Sequence, residues 1–261
     1  MWTETRQGRV AVARFNRPPM NYFTDADIEQ LELLVGEWAQ PGIGAVVLAG
    51  GVAGKFITHF DVDAILRKQE QPEGPIEAPV RSRRFHAMIR TLNELPKPVI
   101  AALNGDAMGG GFELALGCDV RIGELGDYRY GLPEVRLGIV PGGGGLTRLS
   151  RLIGPGRALL LGLSARVLDP EEAHRAGLVE QLAPDAVAAA IELATRIADL
   201  TPSAVAMAKR IVYQTAGLPL SVALDAELES AYRAKQSPDA AAPMREYLEL
   251  PLTERRAWLD Q

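Results

Sequence analysis

Two glutamates and two runs of glycine are the residues of this chain whose types and spacing could do chemistry. Three glycines at 109–111 precede Phe112 and Glu113, and four more at 142–145 follow Glu134. A helix that begins in the first run presents backbone N–H groups without partners and the positive end of its dipole. Because glycine has no side chain, these N–H groups can closely approach the oxygen of a phosphate or a developing oxyanion. The alternative is that the glycines only permit tight turns and close helix packing.

The two glutamates stand in different surroundings. Glu113 falls in the first turn of the predicted helix, where an acid can also serve simply to complement the helix dipole. Glu134 lies in an apolar stretch after Gly131-Leu132-Pro133, and removal from water would raise its pKa toward the range useful for proton transfer. Two carboxylates that converge on one water molecule beside an oxyanion site would add water to an activated double bond or remove it.

The sequence supports neither a nucleotide motif nor a metal site. No lysine follows the glycines, as a P-loop requires, and the glycines from 105 to 111 lack the spacing of a dinucleotide fingerprint. The three histidines, His59, His86 and His174, are far apart and show no pattern of metal ligands. The single cysteine, Cys118, cannot form an intramolecular disulfide and is expected to be a small core residue.

Alternating strands and helices must position these groups. Strands are predicted at 9–15, 45–49, 98–103, 120–122 and 128–130, and helices from residue 24 or 25, over 80–95 and over 110–116. This order favours an α/β fold. Residues 69–75 are the most loop-like segment, and four further helices are predicted at 186–200, 203–215, 222–234 and 239–250. The predicted division is an α/β core, 1–183, and a helical region, 184–261.

The composition excludes several classes of protein. The 261 residues are 47% hydrophobic and carry a net charge of −5, which is typical of a folded protein and disfavours nucleic acid as a partner. The most apolar stretch, 99–117, contains Asn104, Asp106 and Glu113, so it is a poor membrane span. The first residues lack the apolar run of a signal peptide. Together with the single cysteine, these features predict a cytoplasmic protein with no membrane partner.

The chain resembles the crotonase superfamily, the enoyl-CoA hydratases and isomerases, over nearly its whole length. The resemblance is strongest in four segments, 97–105, 107–119, 131–135 and 137–149, which read KPVIAALNG, AMGGGFELALGCD, GLPEV and LGIVPGGGGLTRL. It implies an α/β fold, a crotonase-like spiral of ββα units with a C-terminal helical trimerisation region. It also implies an acyl-CoA substrate, with coenzyme A as part of that substrate and no separate cofactor or metal.

The same resemblance implies roles for individual residues. Glu113 corresponds to the glutamate that orients and deprotonates water, and Glu134 to the glutamate that transfers the other proton. Gly110 corresponds to one backbone donor of the oxyanion hole, and Thr58 takes the position of the other donor in the family segment Phe-x-Ala-Gly-x-Asp. The residues expected to bind substrate are Met20, Phe56, His59, Phe60, Asp61, Gly109, Pro133 and Gly142.

Two segments depart from the family pattern. His59 stands where the family has glycine, and because non-glycine residues tolerate left-handed backbone angles poorly, the oxyanion loop is expected to change shape. His59 either enters the acyl pocket or packs without a catalytic role. Segment 237–247 lacks the family's acidic-glycine element. Arg81, Arg83 and Arg84 either approach CoA phosphates or lie on a solvated helix face.

The predicted function is hydration of an enoyl-CoA, a lyase reaction of fatty acid metabolism. The alternatives are isomerisation of the double bond, dehydration of a carnitinyl-type CoA ester, and binding of acyl-CoA without catalysis. The resemblance predicts a homotrimer or a dimer of trimers.

Overall fold

The computed structural model of the chain describes residues 1–70 and 77–260 and shows two β-sheets flanked by helices. Most of the predicted loop at 69–75 and the side chains of Arg81 and Arg83 lie outside the described residues. Arg84 is exposed and forms ion pairs with Glu29 and Glu32. Its charge is therefore engaged by acidic side chains of the helix that lies beside it.

Ten strands and twelve α-helices follow one another along the described chain. The strands are β1 Trp2–Gln7, β2 Val10–Phe15, β3 Ala45–Gly50, β4 Gly54–Ile57, β5 Val99–Leu103, β6 Gly105–Met108, β7 Val120–Glu124, β8 Tyr130–Gly131, β9 Val167–Leu168 and β10 Gln181–Ala183. The helices are α1 Asp25–Trp38, α2 Val62–Glu70, α3 Glu77–Glu94, α4 Gly110–Leu116, α5 Gly145–Ile153, α6 Pro155–Ser164, α7 Pro170–Arg175, α8 Ala186–Ala198, α9 Pro202–Thr215, α10 Leu220–Lys235, α11 Ala241–Glu249 and α12 Arg255–Leu259. A 3₁₀ helix, Glu134–Leu137, lies between β8 and α5.

The strands form a repeating pattern across the two sheets. The larger sheet has the order β1-β2-β3-β5-β7-β10 and the smaller one the order β4-β6-β8-β9. In the pairs β3–β4, β5–β6 and β7–β8, the first strand joins the larger sheet and the second joins the smaller sheet. Helices follow each pair, so the chain advances through successive ββα units. This architecture confirms the predicted spiral of ββα units.

The continuous apolar runs form strands that are buried on both faces. Every residue of β3 and of β5 is buried. On one face, α8 lays Ala186, Ala190 and Ala194 against the sheet, because residues four apart share one side of a helix. On the other face lies the larger apolar cluster, which contains Trp38, Phe56 and Ile89. Two-sided coverage explains why these strands show no alternation of polar and apolar residues.

The predicted elements compare with the structure as follows. The strands at 9–15, 45–49 and 98–103 are confirmed, as are the helices at 24–38, 80–95 and 110–116 and the four C-terminal helices, each within a few residues. The strand predicted at 128–130 is wrong in its placement, since β8 covers only Tyr130–Gly131. The boundary at residue 183 stays a prediction. No helix within 1–70 and 77–260 is long and apolar enough to cross a membrane.

Candidate active site

An open cleft of about 820 Å³ brings the two glutamates together. Its central part is formed by the connection from β4 to α2, the start of α4 after β6, and the segment from the 3₁₀ helix to α5. Side chains of α1, α2 and α3 complete its wall. The residues that line it include His59, Phe60, Phe85, Gly109, Gly110, Glu113, Pro133, Glu134, Arg136, Leu137, Ile139, Val140, Gly142 and Gly143. Apolar side chains predominate in this lining, and the carboxylates of Glu113 and Glu134 are among its few polar groups.

The Glu113 carboxylate is fixed by the second glycine run. Glu113 projects from the first turn of α4 and is 3% exposed. Its Oε1 accepts hydrogen bonds from the N–H groups of Gly143, at 2.7 Å, and Gly145, at 2.8 Å. Burial raises the pKa of Glu113, and these two N–H groups oppose the rise because they bond the charged form. One carboxylate oxygen is therefore held, and the other is left for a reacting molecule.

Both glycines are needed for this contact. A Cβ on Gly143 would lie 2.3 Å from the Phe85 ring and 2.8 Å from Glu113 Oε2, and a Cβ on Gly145 would lie 2.9 Å from Glu113 Oε1. A larger residue at Gly143 would therefore displace the Phe85 ring or the carboxylate, and one at Gly145 would displace the Glu113 side chain. No local sequence pattern indicates this contact, because Glu113 lies 30 and 32 positions earlier in the chain.

The Glu134 carboxyl group has the opposite surroundings. It is 8% exposed, and its Oε2 has no hydrogen-bond partner among the described residues. Burial raises its pKa to about 7, and the nearby charge of Glu113 adds to the rise. A carboxyl group with this pKa holds its proton up to neutral pH and can then release it. Two backbone hydrogen bonds thus favour the charged form of Glu113, whereas Glu134 Oε2 has no such bond among the described residues, and a difference of this kind suits an acid–base pair.

Gly109 allows the two glutamates to come close. It precedes α4 and has φ of 50°, a left-handed angle that favours glycine. A Cβ at this position would lie 3.2 Å from Glu134 Oε1 and 3.7 Å from the Cβ of His59. The start of α4 therefore lies against the Glu134 carboxyl group, and a side chain at Gly109 would displace that carboxyl group.

The structure places the two predicted oxyanion donors, Gly110 and Thr58, differently relative to the cleft. Gly110 is the first residue of α4, so its N–H has no acceptor within the helix, and it lines the cleft. The Thr58 N–H instead donates to the carbonyl of Asn21 at 3.3 Å, and Thr58 does not line the cleft. Its hydroxyl donates to the carbonyl of Met20 at 2.6 Å. These two bonds of Thr58 therefore attach the loop to Met20 and Asn21, outside the lining of the cleft.

The neighbouring Phe60 has a backbone N–H that could act as a second donor in the cleft. Phe60 lines the cleft, and a Cβ on Gly110 would lie 3.9 Å from the Phe60 nitrogen. Within residues 1–70 and 77–260, no acceptor is bonded to the Phe60 N–H, although the N–H of the next residue, Asp61, donates to Phe23 at 2.8 Å. The backbone of Phe60 therefore lies close to Gly110 at the cleft wall. One substrate oxygen could accept hydrogen bonds from the N–H groups of both residues.

His59 lines the cleft without a left-handed backbone, and the expected change in the shape of the loop stays a prediction. Its φ is not among the positive values of the described non-glycine residues, which are those of Asn21 and Ala165. Its ring stacks on Tyr22 with 4.3 Å between centroids, and Nδ1 lies 2.7 Å from the carbonyl of Phe60. Because a carbonyl only accepts, Nδ1 is the donor in this contact. His59 is half-buried, and its contacts with Tyr22 and Phe60 hold the ring in place at the cleft.

Five of the eight predicted substrate-binding residues line the cleft: His59, Phe60, Gly109, Pro133 and Gly142. The other three do not. Met20 is exposed and contributes only its carbonyl to Thr58, and Phe56 is fully buried in the core. Asp61 caps α2, since its Oδ1 accepts from the N–H of Ala64 at 3.2 Å. These three residues support the loop that carries His59 and Phe60.

The other titratable groups of the described residues form neither a metal site nor a reactive thiol. Among the described residues, no group of three or more His, Cys, Asp or Glu side chains is arranged to hold a metal ion. Cys118 is buried, and burial raises its pKa to about 12, so its thiol stays protonated at neutral pH. The chemistry that the cleft can perform is therefore proton transfer by two carboxyl groups beside two backbone donors.

Comparison with known proteins identifies relatives of the whole chain. The sequence model of the family described as Enoyl-CoA hydratase/isomerase matches residues 5–255. The short-chain-enoyl-CoA hydratase of Clostridium acetobutylicum is 33% identical over 94% of this chain and 93% of its own. A probable enoyl-CoA hydratase of Bacillus subtilis is 30% identical over 92% of both chains. The crystal structure of enoyl-CoA hydratase from Bacillus anthracis superposes with a TM-score of 0.87, at 30% identity, over 95% of this chain and 96% of that chain.

Proposed function

This chain belongs to the enoyl-CoA hydratase/isomerase family, and from that premise we propose that it hydrates the 2,3 double bond of an enoyl-CoA thioester. The observation that carries the proposal is the pair of buried glutamates, Glu113 and Glu134, in opposite environments within one cleft. The relatives named as enoyl-CoA hydratases support the same reaction. The groups that the proposal uses all belong to the chain, with coenzyme A as part of the substrate.

The reaction begins with the thioester carbonyl. Its oxygen would accept hydrogen bonds from the N–H groups of Phe60 and Gly110 at the cleft wall. As water adds to the double bond, negative charge moves onto this oxygen and an enolate develops. Donors that are fixed in place before the reaction stabilise that charge, and each is worth about 3–4 kcal/mol in comparable sites.

The two glutamates then move the protons. Glu113, held by two backbone N–H groups, is the proposed base that takes a proton from water as its oxygen attacks C3. Glu134, whose pKa is about 7, is the proposed acid that gives a proton to C2. One water molecule is consumed, its hydroxyl group bonds to C3, and the proton it loses replaces the proton delivered to C2. The reverse sequence removes water from a 3-hydroxyacyl-CoA.

A panel of CoA esters tests the proposed reaction. Purified protein is incubated with 2-enoyl-CoA, 3-enoyl-CoA and 3-hydroxyacyl-CoA of several chain lengths, and products are identified by mass. We expect 2-enoyl-CoA and 3-hydroxyacyl-CoA to interconvert. Glu113→Gln and Glu134→Gln should each lower kcat by roughly 10²–10⁴, the usual contribution of a general acid or base. Conversion of 3-enoyl to 2-enoyl esters alone would point to an isomerase, and binding without turnover to an acyl-CoA carrier.

We further propose that the chain assembles as a homotrimer or a dimer of trimers through its C-terminal helices. The supporting observation is an apolar stripe on α10, formed by Leu220, Leu224, Leu228 and Tyr232, all exposed in the single chain. Residues four apart lie on one side of a helix, so these side chains form a continuous apolar surface. A surface of this kind is more typical of an interface than of a monomer. The cytoplasm remains the proposed location, on the sequence alone.

A further inference from the structure

An arginine of the helix that follows the four glycines at 142–145 forms a hydrogen bond with this segment. Arg148, on α5, donates from Nη1 to the carbonyl of Gly143 at 2.8 Å. The N–H of the same residue, Gly143, donates to Glu113 Oε1 at 2.7 Å. Gly143 is therefore bonded on one side to the guanidinium and on the other to the carboxylate. A segment of four glycines has more backbone freedom than any other sequence, so such a contact restricts it strongly.

The guanidinium also packs directly against the middle of the segment. Gly144 has φ of 90°, and a Cβ there would lie 2.6 Å from Arg148 Nη1 and 3.4 Å from Cε1 of His86. The turn at Gly144 therefore follows the surface of these two side chains. Its shape sets where the N–H groups on either side of it, those of Gly143 and Gly145, are aimed.

Arg148 is partly buried without the partner that such an arginine usually has. None of the described acidic side chains forms an ion pair with it, and burial lowers the pKa of its guanidinium. The charge of Glu113 acts against this fall. In return, after the two backbone N–H groups, His86 and Arg148 lower the pKa of Glu113 and so oppose the rise that burial causes.

Charged groups face the Glu113 carboxylate from three elements. They are His86 on α3, Arg148 on α5 and Glu134 on the 3₁₀ helix. His86 is exposed, and an ionised Glu134 has the same sign of charge as Glu113. Arg148 is the one group of the three that carries a permanent positive charge at all pH values at which the protein is folded.

We propose that Arg148 is a positioning residue for the base of the reaction. Its guanidinium holds segment 142–145 in the shape that aims two N–H groups at Glu113, and it places a positive charge near that carboxylate. This inference rests on the proposed hydratase function for its kinetic consequences. The hydrogen bonds that connect Arg148, Gly143 and Glu113 are observed in the structure whatever the reaction is.

Three variants separate the charge of Arg148 from its shape. Arg148→Met removes both, and Arg148→Lys keeps the charge but loses the planar fork of donors. Arg151→Met is the matched control, because Arg151 is an exposed arginine one turn further along α5. Thermal unfolding and circular dichroism establish that each variant folds. The readouts are kcat and KM as functions of pH, and the pKa of Glu113 from ¹³C NMR of labelled glutamate, assigned with Glu113→Gln.

For Arg148→Met we expect a raised Glu113 pKa and an acidic limb of kcat/KM that moves to higher pH, because a positive charge beside the carboxylate is gone. We expect kcat to fall by roughly tenfold to a hundredfold, with KM changed by less than about threefold, because the base is misplaced and substrate binding is retained. Arg148→Lys should restore the Glu113 pKa while kcat stays at least about fivefold low, since one ammonium cannot replace the fork. Arg151→Met should match the wild type.

An unchanged Glu113 pKa together with wild-type kcat in Arg148→Met would overturn the inference. If Arg148→Met fails to fold, the lysine variant decides, and wild-type kcat in a folded Arg148→Lys would then exclude the positioning role. Failure of the proposed function is a separate result. In that case the wild type converts no enoyl-CoA, and the NMR titration of Glu113 still tests the effect of Arg148 on the carboxylate.

Discussion

Glu113 and Glu134 have similar burial, and their hydrogen bonds make them different. Glu113 Oε1 accepts from two backbone N–H groups, whereas Glu134 Oε2 is buried without a partner among the described residues. Bonds to the charged form favour a carboxylate, and burial without such bonds favours the protonated acid. Activity in the direction of hydration should therefore require one ionised and one protonated carboxyl group, which gives a bell-shaped pH profile that belongs to the pair.

The buried acid should lower the stability of the fold at high pH. Burial raises the pKa of Glu134 to about 7, so the folded protein holds a proton that the unfolded chain releases at lower pH. The destabilisation is absent at low pH, grows as the pH rises toward 7 and is complete above it. Glu134→Gln should therefore raise the free energy of unfolding more at about pH 8 than at about pH 5, by up to roughly 3 kcal/mol. Urea unfolding of both proteins at the two pH values measures this difference, and an equal effect at both would contradict the raised pKa.

The identity of the second oxyanion donor can be tested by exchanging one backbone N–H for an ester oxygen. At Phe60 this change removes the proposed donor, so kcat should fall by roughly 10²–10³. At Thr58 it removes the hydrogen bond to the Asn21 carbonyl, which should cost about 1 kcal/mol of stability and leave kcat within about twofold. A loss of turnover from the Thr58 ester with normal turnover from the Phe60 ester would reverse the assignment.

At the scale of the elements, a ββα unit places the start of α4 in the cleft, and the 3₁₀ helix and α5 bring the other groups to it. The β5–β6 pair carries the chain to Gly109 and the first turn of α4, which presents Gly110 and Glu113 together. The β7–β8 pair leads to Glu134, and the first turn of α5 supplies Gly145. The site therefore depends on the fit between consecutive units, and a change in one unit should disturb a residue of another.

Gly145→Ala tests this dependence. The new Cβ would lie within 2.9 Å of the Glu113 side chain, so the carboxylate must move. We expect kcat to fall by roughly tenfold or more, with a smaller effect on substrate binding. Gly36→Ala is the matched control, because a Cβ on this exposed residue inside α1 meets no atom within 4 Å. The control should keep wild-type kcat and gain about 0.4–1 kcal/mol of stability. Normal turnover of Gly145→Ala would show that the contact with Glu113 is dispensable.

The elements also explain which features the sequence could predict. Continuous apolar runs predict β3 and β5, and the glycines before Glu113 predict the start of α4, because these signals are local. The smaller sheet escapes prediction, since its strands have only two to four residues and show no periodicity. The donor at Phe60 escapes as well, because it depends on the Asn21 carbonyl, which is distant in the sequence and engages the Thr58 N–H.

At the scale of the whole molecule, the described chain leaves much apolar surface on its C-terminal helices. Leu228 on α10 is 72% exposed, and Leu252, which precedes α12, is 80% exposed. In contrast, α8 buries its alanines on the sheet, and α9 is fastened to the core by an ion pair between Lys209 and Asp119 at 2.8 Å. The helical region thus has one part anchored to its own core and another part whose apolar side chains lack a partner within the described chain.

Charged residues on the apolar stripe should prevent assembly. The double variant Leu224→Glu/Leu228→Glu places two carboxylates where the proposed interface excludes water, so the trimer or hexamer should dissociate. Leu33→Glu is the control, because Leu33 is equally exposed on α1, outside the C-terminal helices. Light scattering coupled to gel filtration measures the mass of each protein. An unchanged mass for the double variant, or a monomeric wild type, would contradict the proposed interface.

Under the proposed function, Glu113 and Glu134 together add one water molecule to an enoyl-CoA. The most direct measurement is mass spectrometry of the product formed from 2-enoyl-CoA in water labelled with ¹⁸O and deuterium. We expect a 3-hydroxyacyl-CoA with one ¹⁸O at C3 and one deuterium at C2 from the wild type, and at most a small fraction of that product from either glutamine variant at matched times. A wild-type product without ¹⁸O, or as much labelled product from Glu113→Gln or Glu134→Gln as from the wild type, would contradict the proposed roles.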